Sequence, residues 1–576
     1  MRFSRSHLSR WLCASATTVA LGVLTACGGG GGSGTVDANV ATTTTGAVRA
    51  VERLGMRSYF GIPFAAPPVG ERRWTPPAPA ASWSGELNKT TSAAPCLQTS
   101  ASPFRLANGQ EDCLYLDVHA PSGGTGPFPV MVWFHGGAFN TGGTNTYMDP
   151  SPLVNKGVVV VNVAYRMGAM GFLGHPALRS TGTGGAPAGS VGNYGIMDQQ
   201  AALRWVQNNV AAFRGDQNNV TIFGESAGGF GVMTHLASPQ SKGLFHKAVV
   251  QSGAYGFDRQ QTQAALEATS TTVVNNALAA AGVSCPGGTV DAACLRNLPA
   301  SVVSTQLATA FNTALSSPVP SVDGYVLPKT IKATFQAGEN NKVPLLNGSN
   351  EDEWSLFVAI GEIGRRAAAG NNTDPNNRTF LTPTAATYGA TLAGQAAGTG
   401  LTAAALEAAY PLSAYGGAAD PLAPVRGSIA LGTDVTFACQ ALNLSKRAAQ
   451  QGTPTWMYEF RDQTAPPSVG ADASGNATIS TPQGAGHWYE IQYLFNLRDL
   501  GNAERRALQD AMTTYWTNFA RSGNPNTGNQ VPTAWPAFTS GSTVLGLDVA
   551  SGGGIKPLTT FEQDHKCATV WPMLTF

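Results

Sequence analysis

Along most of the chain, short runs of continuously apolar residues alternate with longer stretches in which apolar residues recur at helical spacing. The clearest runs are PVMVWF (129–134), VVVVNVAY (158–165), VTIFG (220–224), KAVVQS (247–252), VPLLNGS (343–349) and TWMYEF (455–460). Each is short and most are rich in β-branched or aromatic residues, which predicts strands. Their near-continuous hydrophobicity predicts strands covered on both faces. MDQQAALRWVQNNVAAF (197–213) and RRALQDAMTTYWTNFARSG (505–523) instead carry apolar residues at helical intervals and predict amphipathic helices packed on that sheet. The alternation begins near residue 46 and predicts an α/β fold with a large, mostly parallel central sheet flanked by helices. Stretches rich in Gly, Ala, Thr and Pro at 180–191, 367–403 and 465–486 carry no charge run and no linker signature. They are read as surface excursions from one domain spanning 46–576.

The N-terminus breaks this pattern. Arg2, Arg5 and Arg10 precede an apolar stretch, Thr17 to Leu24, that is too short to span a bilayer, so residues 1–26 read as a signal peptide. Leu24-Thr25-Ala26-Cys27 resembles the bacterial lipobox, in which the cysteine is lipidated and becomes the mature N-terminus. Membrane attachment through Cys27 follows, with 27–45, including GGGGGSG (28–34), as a flexible tether. Gly28 after Cys27 resembles the signal for outer-membrane sorting; ordinary cleavage and a freely secreted product is the alternative.

Charge and cysteine content narrow the chemistry. Lys plus Arg is 35 and Asp plus Glu is 34, so no excess of positive charge is present to neutralise phosphates, and nucleic-acid binding is set aside. Cys96, Cys113, Cys285, Cys294, Cys439 and Cys567 remain once Cys13 and Cys27 are assigned to the leader. An even number in an exported chain points to disulfides, and spacing hints that near neighbours join. No CxxC or HExxH pair exists, so no metal site is expected.

Ser226 lies in GESAG (224–228), directly after the strand VTIFG and before the helix-compatible AGGFGVMTHLA (227–237). Strand, sharp turn and helix are what a nucleophile elbow requires, with small Gly224 and Gly228 allowing close approach. A serine hydroxyl needs a histidine to take its proton and an acid to orient that histidine, in the chain order serine, acid, histidine. His487, in GAGHWYEIQYLF at the end of a long loop, is the better candidate base; His565, beside Cys567, reads as structural. The strand VPLLNGS is followed at once by Glu351, Asp352 and Glu353, which locates the acid without choosing among the three. FHGGAF (134–139) follows another strand and supplies an oxyanion loop of the HGGG type, with Gly137, Ala138 and Ala227 as candidate N–H donors.

Taken together, these residues resemble the type-B carboxylesterase family, which includes cholinesterases and bacterial para-nitrobenzyl esterases. The likeness extends over FGIPFAAPPVGERRW (60–74), EDCLYLDV (111–118), NVAYRMGAMGFL (162–173) and FGESAGG (223–229). The resemblance implies an α/β-hydrolase fold and a Ser-His-Glu mechanism through an acyl-enzyme, without cofactor. GSNEDEW (348–354) is similar to the family's acid segment with Glu353 in the catalytic place; Trp354 stands where the family usually has Gly, and Asp352 is the alternative. Sequential disulfides, 96 with 113, 285 with 294 and 439 with 567, are likewise implied, as is a hydrogen bond from Ser252 to the acid. The substrate is expected to be a small-molecule or oligomeric carboxylic ester met outside the cytoplasm. A non-catalytic cholinesterase-like binding module and an amidase or polyester-degrading variant of the same chemistry are the alternatives.

Overall fold

The computed structural model describes residues 37–98, 109–182, 185–257, 259–315, 318–472, 476–539 and 543–574. The leader, Cys27 and most of the tether lie outside them. Strand-forming runs assemble into one eleven-stranded sheet: β1 (Val51–Arg53), β2 (Met56–Pro63), β3 (Tyr115–Pro121), β4 (Phe128–Phe134), β5 (Val159–Val163), β6 (Gly215–Glu225), β7 (Lys247–Gln251), β8 (Leu345–Asn350), β9 (Thr455–Phe460), β10 (Val544–Leu547) and β11 (Lys556–Leu558). Their order across the sheet is β11-β10-β9-β8-β7-β6-β4-β5-β3-β2-β1. The centre, β5 through β10, is parallel, and antiparallel strands close both edges.

The unbroken hydrophobicity of the central strands has the cause inferred from it. On β4, Val130, Val132 and Phe134 enter one core while Met131 and Trp133 enter another, and all five are buried. Helices cover both faces: α1 (Tyr194–Asn209), α2 (Ala227–Ala237), α3 (Ser355–Ala368), α4 (Ala423–Thr433), α5 (Cys439–Gln450) and α6 (Ala503–Ser522) are the ones that bear on the site. α6 starts where the Asn502 side chain accepts the Arg505 N–H and stops at Gly523, whose φ of 77° a side chain would resist. Its Trp516 and Phe519 pack with Trp133 and Phe223.

The folded body begins earlier than the composition of the segment suggested. Asn39–Phe576 forms one unit, and Val40–Thr42 already pairs with Ala47–Arg49. Ala41 is buried, and the Thr43 hydroxyl donates to the Gly46 carbonyl oxygen to close the turn between these strands. A threonine-rich run looks like tether, yet β-branched residues are also good strand formers once a partner is available.

Disulfides join Cys96 to Cys113, Cys285 to Cys294 and Cys439 to Cys567, which suits an oxidising compartment. Among the described residues no helix is long and apolar enough to cross a membrane. The last bridge spans 128 residues and ties the C-terminal segment to α5. Replacing Cys439 and Cys567 together by alanine is expected to lower stability by about 2–4 kcal/mol, chiefly by freeing the unfolded chain. The guanidinium unfolding midpoint measures it, with an unchanged midpoint counting against the bridge.

Candidate active site

Strand register gathers the site. Phe134 pairs with Gly224, and Gln251 pairs with both Glu225 and Gly348. The C-terminal ends of β4, β6, β7 and β8 therefore lie side by side, and the residues that follow them (His135, Ser226, Ser252 and Glu351) leave the sheet at one edge. Between β4 and β6 the chain order reverses, because β5 sits on the far side of β4. In open α/β sheets, crevices for ligands form at such a point.

Ser226 occupies the turn between β6 and α2 with φ 54° and ψ −123°, a backbone conformation that L-residues rarely adopt. Contacts around it leave no room for side chains. A Cβ at Gly228 would lie 1.9 Å from the Phe134 carbonyl oxygen, and one at Gly224 would lie 2.5 Å from the Gly228 carbonyl carbon. The Ser226 N–H donates to Gln251 O at 2.9 Å, which fixes the strained turn to β7. Ser226 is half-buried, with the Tyr255 side chain near it.

The loop after β4 reaches over this turn. Gly137, Ala138 and Phe139 have φ of 110°, 55° and 56°, and the N–H groups of Asn140 and Thr141 both donate to Gly137 O. A Cβ at Gly136 would come within 3.2 Å of the Ser226 Cβ, so the loop backbone runs against the serine. Ala227 is the first residue of α2, where helix geometry leaves an N–H without an intrahelical acceptor. His135 anchors the loop by stacking on Tyr165, whose hydroxyl donates to His135 O at 2.6 Å.

Of the three consecutive acids, Glu353 is the one that reaches the imidazole. Its Oε2 is 2.5 Å from His487 Nδ1, while its Oε1 accepts from the Ser252 hydroxyl at 2.5 Å and from Asn350 N at 2.8 Å. Glu351 turns away to Arg461, and Asp352 accepts from Gln463 and from Ala485 N. Trp354, in place of the family's glycine, packs over Gly432 and against Phe357. The other imidazole nitrogen, His487 Nε2, is buried and makes no hydrogen bond; it faces Glu225 Oε1 at 3.1 Å without hydrogen-bond geometry. The serine-to-histidine bond expected from the sequence is thus not made in this structure.

Two carboxyls that sequence reasoning gave no role complete the group. Glu225, within GESAG itself, is fully enclosed, and burial raises its pKa well above the carboxylate range. Glu490, three residues after His487, accepts from Asn350 Nδ2 at 2.7 Å; burial and then the Glu353 charge push it up to about 7. Burial alone would lower the His487 pKa, but Glu225, Glu353 and Glu490 outweigh it and hold it up to about 9. The opposite side of the imidazole is aromatic, with Phe437 and Phe357 ring centroids 4.9 Å and 5.3 Å away. The motif match supplied no signal for either ring, because they come from segments far apart in sequence.

A sequence model described as the carboxylesterase family matches residues 37–555. Liver carboxylesterase 1 of Oryctolagus cuniculus is 31% identical over 512 residues, covering 83% of each chain. Fumonisin B1 esterase of Sphingopyxis macrogoltabida is 34% identical over 536 residues, covering 89% of this chain and 87% of that one. Carboxylesterase 1C of Rattus norvegicus is 32% identical over 504 residues and covers 83% of each.

The close packing at the elbow makes a direct prediction. Gly228→Ala must push α2 away from β4, and a displacement near 1 Å at reacting groups costs roughly a hundredfold in rate. Ester turnover of the soluble variant should fall by about that factor, together with its melting temperature. Wild-type turnover would contradict the packing described.

Proposed function

The chain belongs to the carboxylesterase family and is a carboxylic ester hydrolase, and from that premise we propose that Ser226, His487 and Glu353 carry the hydrolysis through an acyl-enzyme. The observation that supports this reading best is the chain of contacts Ser252–Glu353–His487, aimed from two loops at the strained turn that presents Ser226. On substrate binding the Ser226 hydroxyl gives up its proton to His487 Nε2 and attacks the ester carbonyl carbon. Negative charge then builds on the carbonyl oxygen, where the N–H groups of Gly137, Ala138 and Ala227 are the donors. His487 passes the proton to the departing alcohol, and water attacks the acyl-enzyme by the same steps in reverse roles. Glu353 fixes the tautomer that leaves Nε2 basic and stabilises the imidazolium.

Three carboxyls around one imidazole cannot all be ionised, since like charges in a buried space oppose one another. Glu353, with its three donors, is the carboxylate, and burial keeps Glu225 protonated. Part of the charge that would trap His487 as imidazolium is thereby removed. The lipobox reading adds that export leaves the enzyme tethered through Cys27, so that Cys27→Ser would release it from membranes in fractionation.

Ser226→Ala should lower ester turnover by about ten-thousandfold or more while the circular dichroism spectrum is kept; turnover surviving in purified protein would end the assignment. The pH dependence follows from the sign of the histidine shift. His487 acts as a base only when neutral, and nearby acids hold its pKa up, so kcat/KM should climb into the alkaline range. Glu225→Gln replaces a carboxyl that burial holds protonated by an amide of the same shape and should leave that limb in place. A limb that moves to lower pH would show that Glu225 carries a charge that His487 senses.

A further inference from the structure

A second buried imidazole, outside the group that handles the ester, is clamped between two acids. His565 Nδ1 lies 2.6 Å from Asp434 Oδ1, and its Nε2 lies 2.5 Å from Glu459 Oε1. Carboxylates on both nitrogens require both to donate, which makes the ring an imidazolium with no lone pair to offer as a base. Ester hydrolysis has no step for such a group. Its contacts nevertheless lead to the active site.

From Glu459 the hydrogen bonds continue rung by rung. Arg461 Nη1 donates to Glu459 Oε2 at 3.1 Å, and its Nη2 donates to Glu351 Oε1 at 2.5 Å. Gln463 Nε2 then donates to Glu351 Oε2 at 2.8 Å and to Asp352 Oδ2 at 2.6 Å. Asp352 ends the ladder by joining Ala485 twice, N–H to O at 3.0 Å and carboxylate to N–H at 3.1 Å. Asp352 precedes Glu353, and Ala485 lies two residues before His487. On the other side of His565, Asp434 Oδ2 accepts from the Tyr410 hydroxyl, which accepts from Trp571 Nε1, while Cys567 is bonded to Cys439.

We propose that His565 is a positioning residue for the Glu353–His487 pair, acting through the ladder Glu459–Arg461–Glu351–Gln463–Asp352. The inference rests on the assignment of Glu353 and His487 above. Asn350 and Ser355 bind the same histidine loop from within, through Gly486 O and Gln483 O. The ladder adds a rigid connection from the acid turn to β9 and the C-terminal segment, so the two loops are held against the sheet as well as against each other. It borders an open cavity of about 490 Å³, where water can take the place of a lost rung. Breaking the ladder should therefore loosen the pair without unfolding the chain.

The test uses His565→Gln, Gln463→Ala and the double variant of the full chain, each normalised to the fraction of Ser226 that an organophosphate labels. Each single change should lower kcat by about tenfold with KM kept within about twofold, because small displacements of reacting groups are costly in rate. The double variant should also fall by about tenfold rather than about a hundredfold, since both changes interrupt one path. Wild-type kcat in labelled His565→Gln enzyme, or effects on kcat that multiply, would overturn the proposal. Gln463 is exposed, so if His565→Gln fails to fold, wild-type kcat in Gln463→Ala and in Arg461→Met decides against it. Failure of the underlying assignment shows separately, as turnover that survives Ser226→Ala or Glu353→Gln.

Discussion

Backbone contact without intervening side chains, where β4, β6 and α2 meet, is the constraint on which the site depends. A single carbon added at Gly228 would fall inside the Phe134 carbonyl, and one added at Gly253 would lie 2.3 Å from the Gly229 carbonyl carbon. These approaches press the turn at Ser226 into an unfavourable φ, and the Gln251 carbonyl holds it there. Strain of this kind costs about 1–3 kcal/mol and persists only where surrounding structure over-determines it. The surrounding structure is the sheet: two buried faces and parallel register place the ends of four strands in line.

The same burial sets the electrostatics. An imidazole between a carboxylate and two further carboxyls would be locked in its protonated form if every acid were charged, and it would then be useless as a base. Desolvation prevents this by raising Glu225 and Glu490 as it opposes their charge. The number of donors decides which acid keeps its negative charge: Ser252, Asn350 N and His487 all meet at Glu353. Acid content alone therefore says little about the state of the site. The allocation of hydrogen bonds among the acids sets it.

Much of this was legible in the chain because it rests on local pattern. Central strands, their two-sided burial and helices at 197–213 and 505–523 follow from periodicity, and the last turn of the first proves to be 3-10 rather than α. The antiparallel strands Met56–Pro63 and Tyr115–Pro121 were visible only as blocks resembling a family, since glycine, proline and charge interrupt their runs. Glu353 could be favoured over its neighbours only by resemblance, because choosing among three adjacent acids depends on side-chain direction. Glu225 and Glu490 carried no signal of their own. Their importance arises from being enclosed around one histidine, which no spacing expresses. His565 was read as structural from its place beside Cys567, but its two carboxylates come from residues 434 and 459 and could not be inferred from that place.

Trp354 shows how a departure from the family's pattern can be absorbed and still alter the site. Glycine at this position would leave the space over Gly432 empty; the indole fills it, and a Cβ on Gly432 would come within 2.2 Å of the Trp354 Cγ. The Trp354 N–H donates to the Thr433 hydroxyl, so the acid turn is tied to α4. The indole then supports Phe357 at 4.8 Å, Phe357 stacks on Phe437, and Phe437 meets Tyr255. A run of aromatic contacts thus leads from the residue after the acid to Tyr255, and its Phe357 and Phe437 rings both meet His487. Its outer member, Phe357, keeps 38% of its surface exposed, which leaves a ring face for the apolar part of an ester to cover. Covering that face would exclude water from the imidazole and strengthen its contact with Glu353. The residue at which the acid loop departs from the family's pattern is, in three dimensions, a support for the aromatic rings that meet His487.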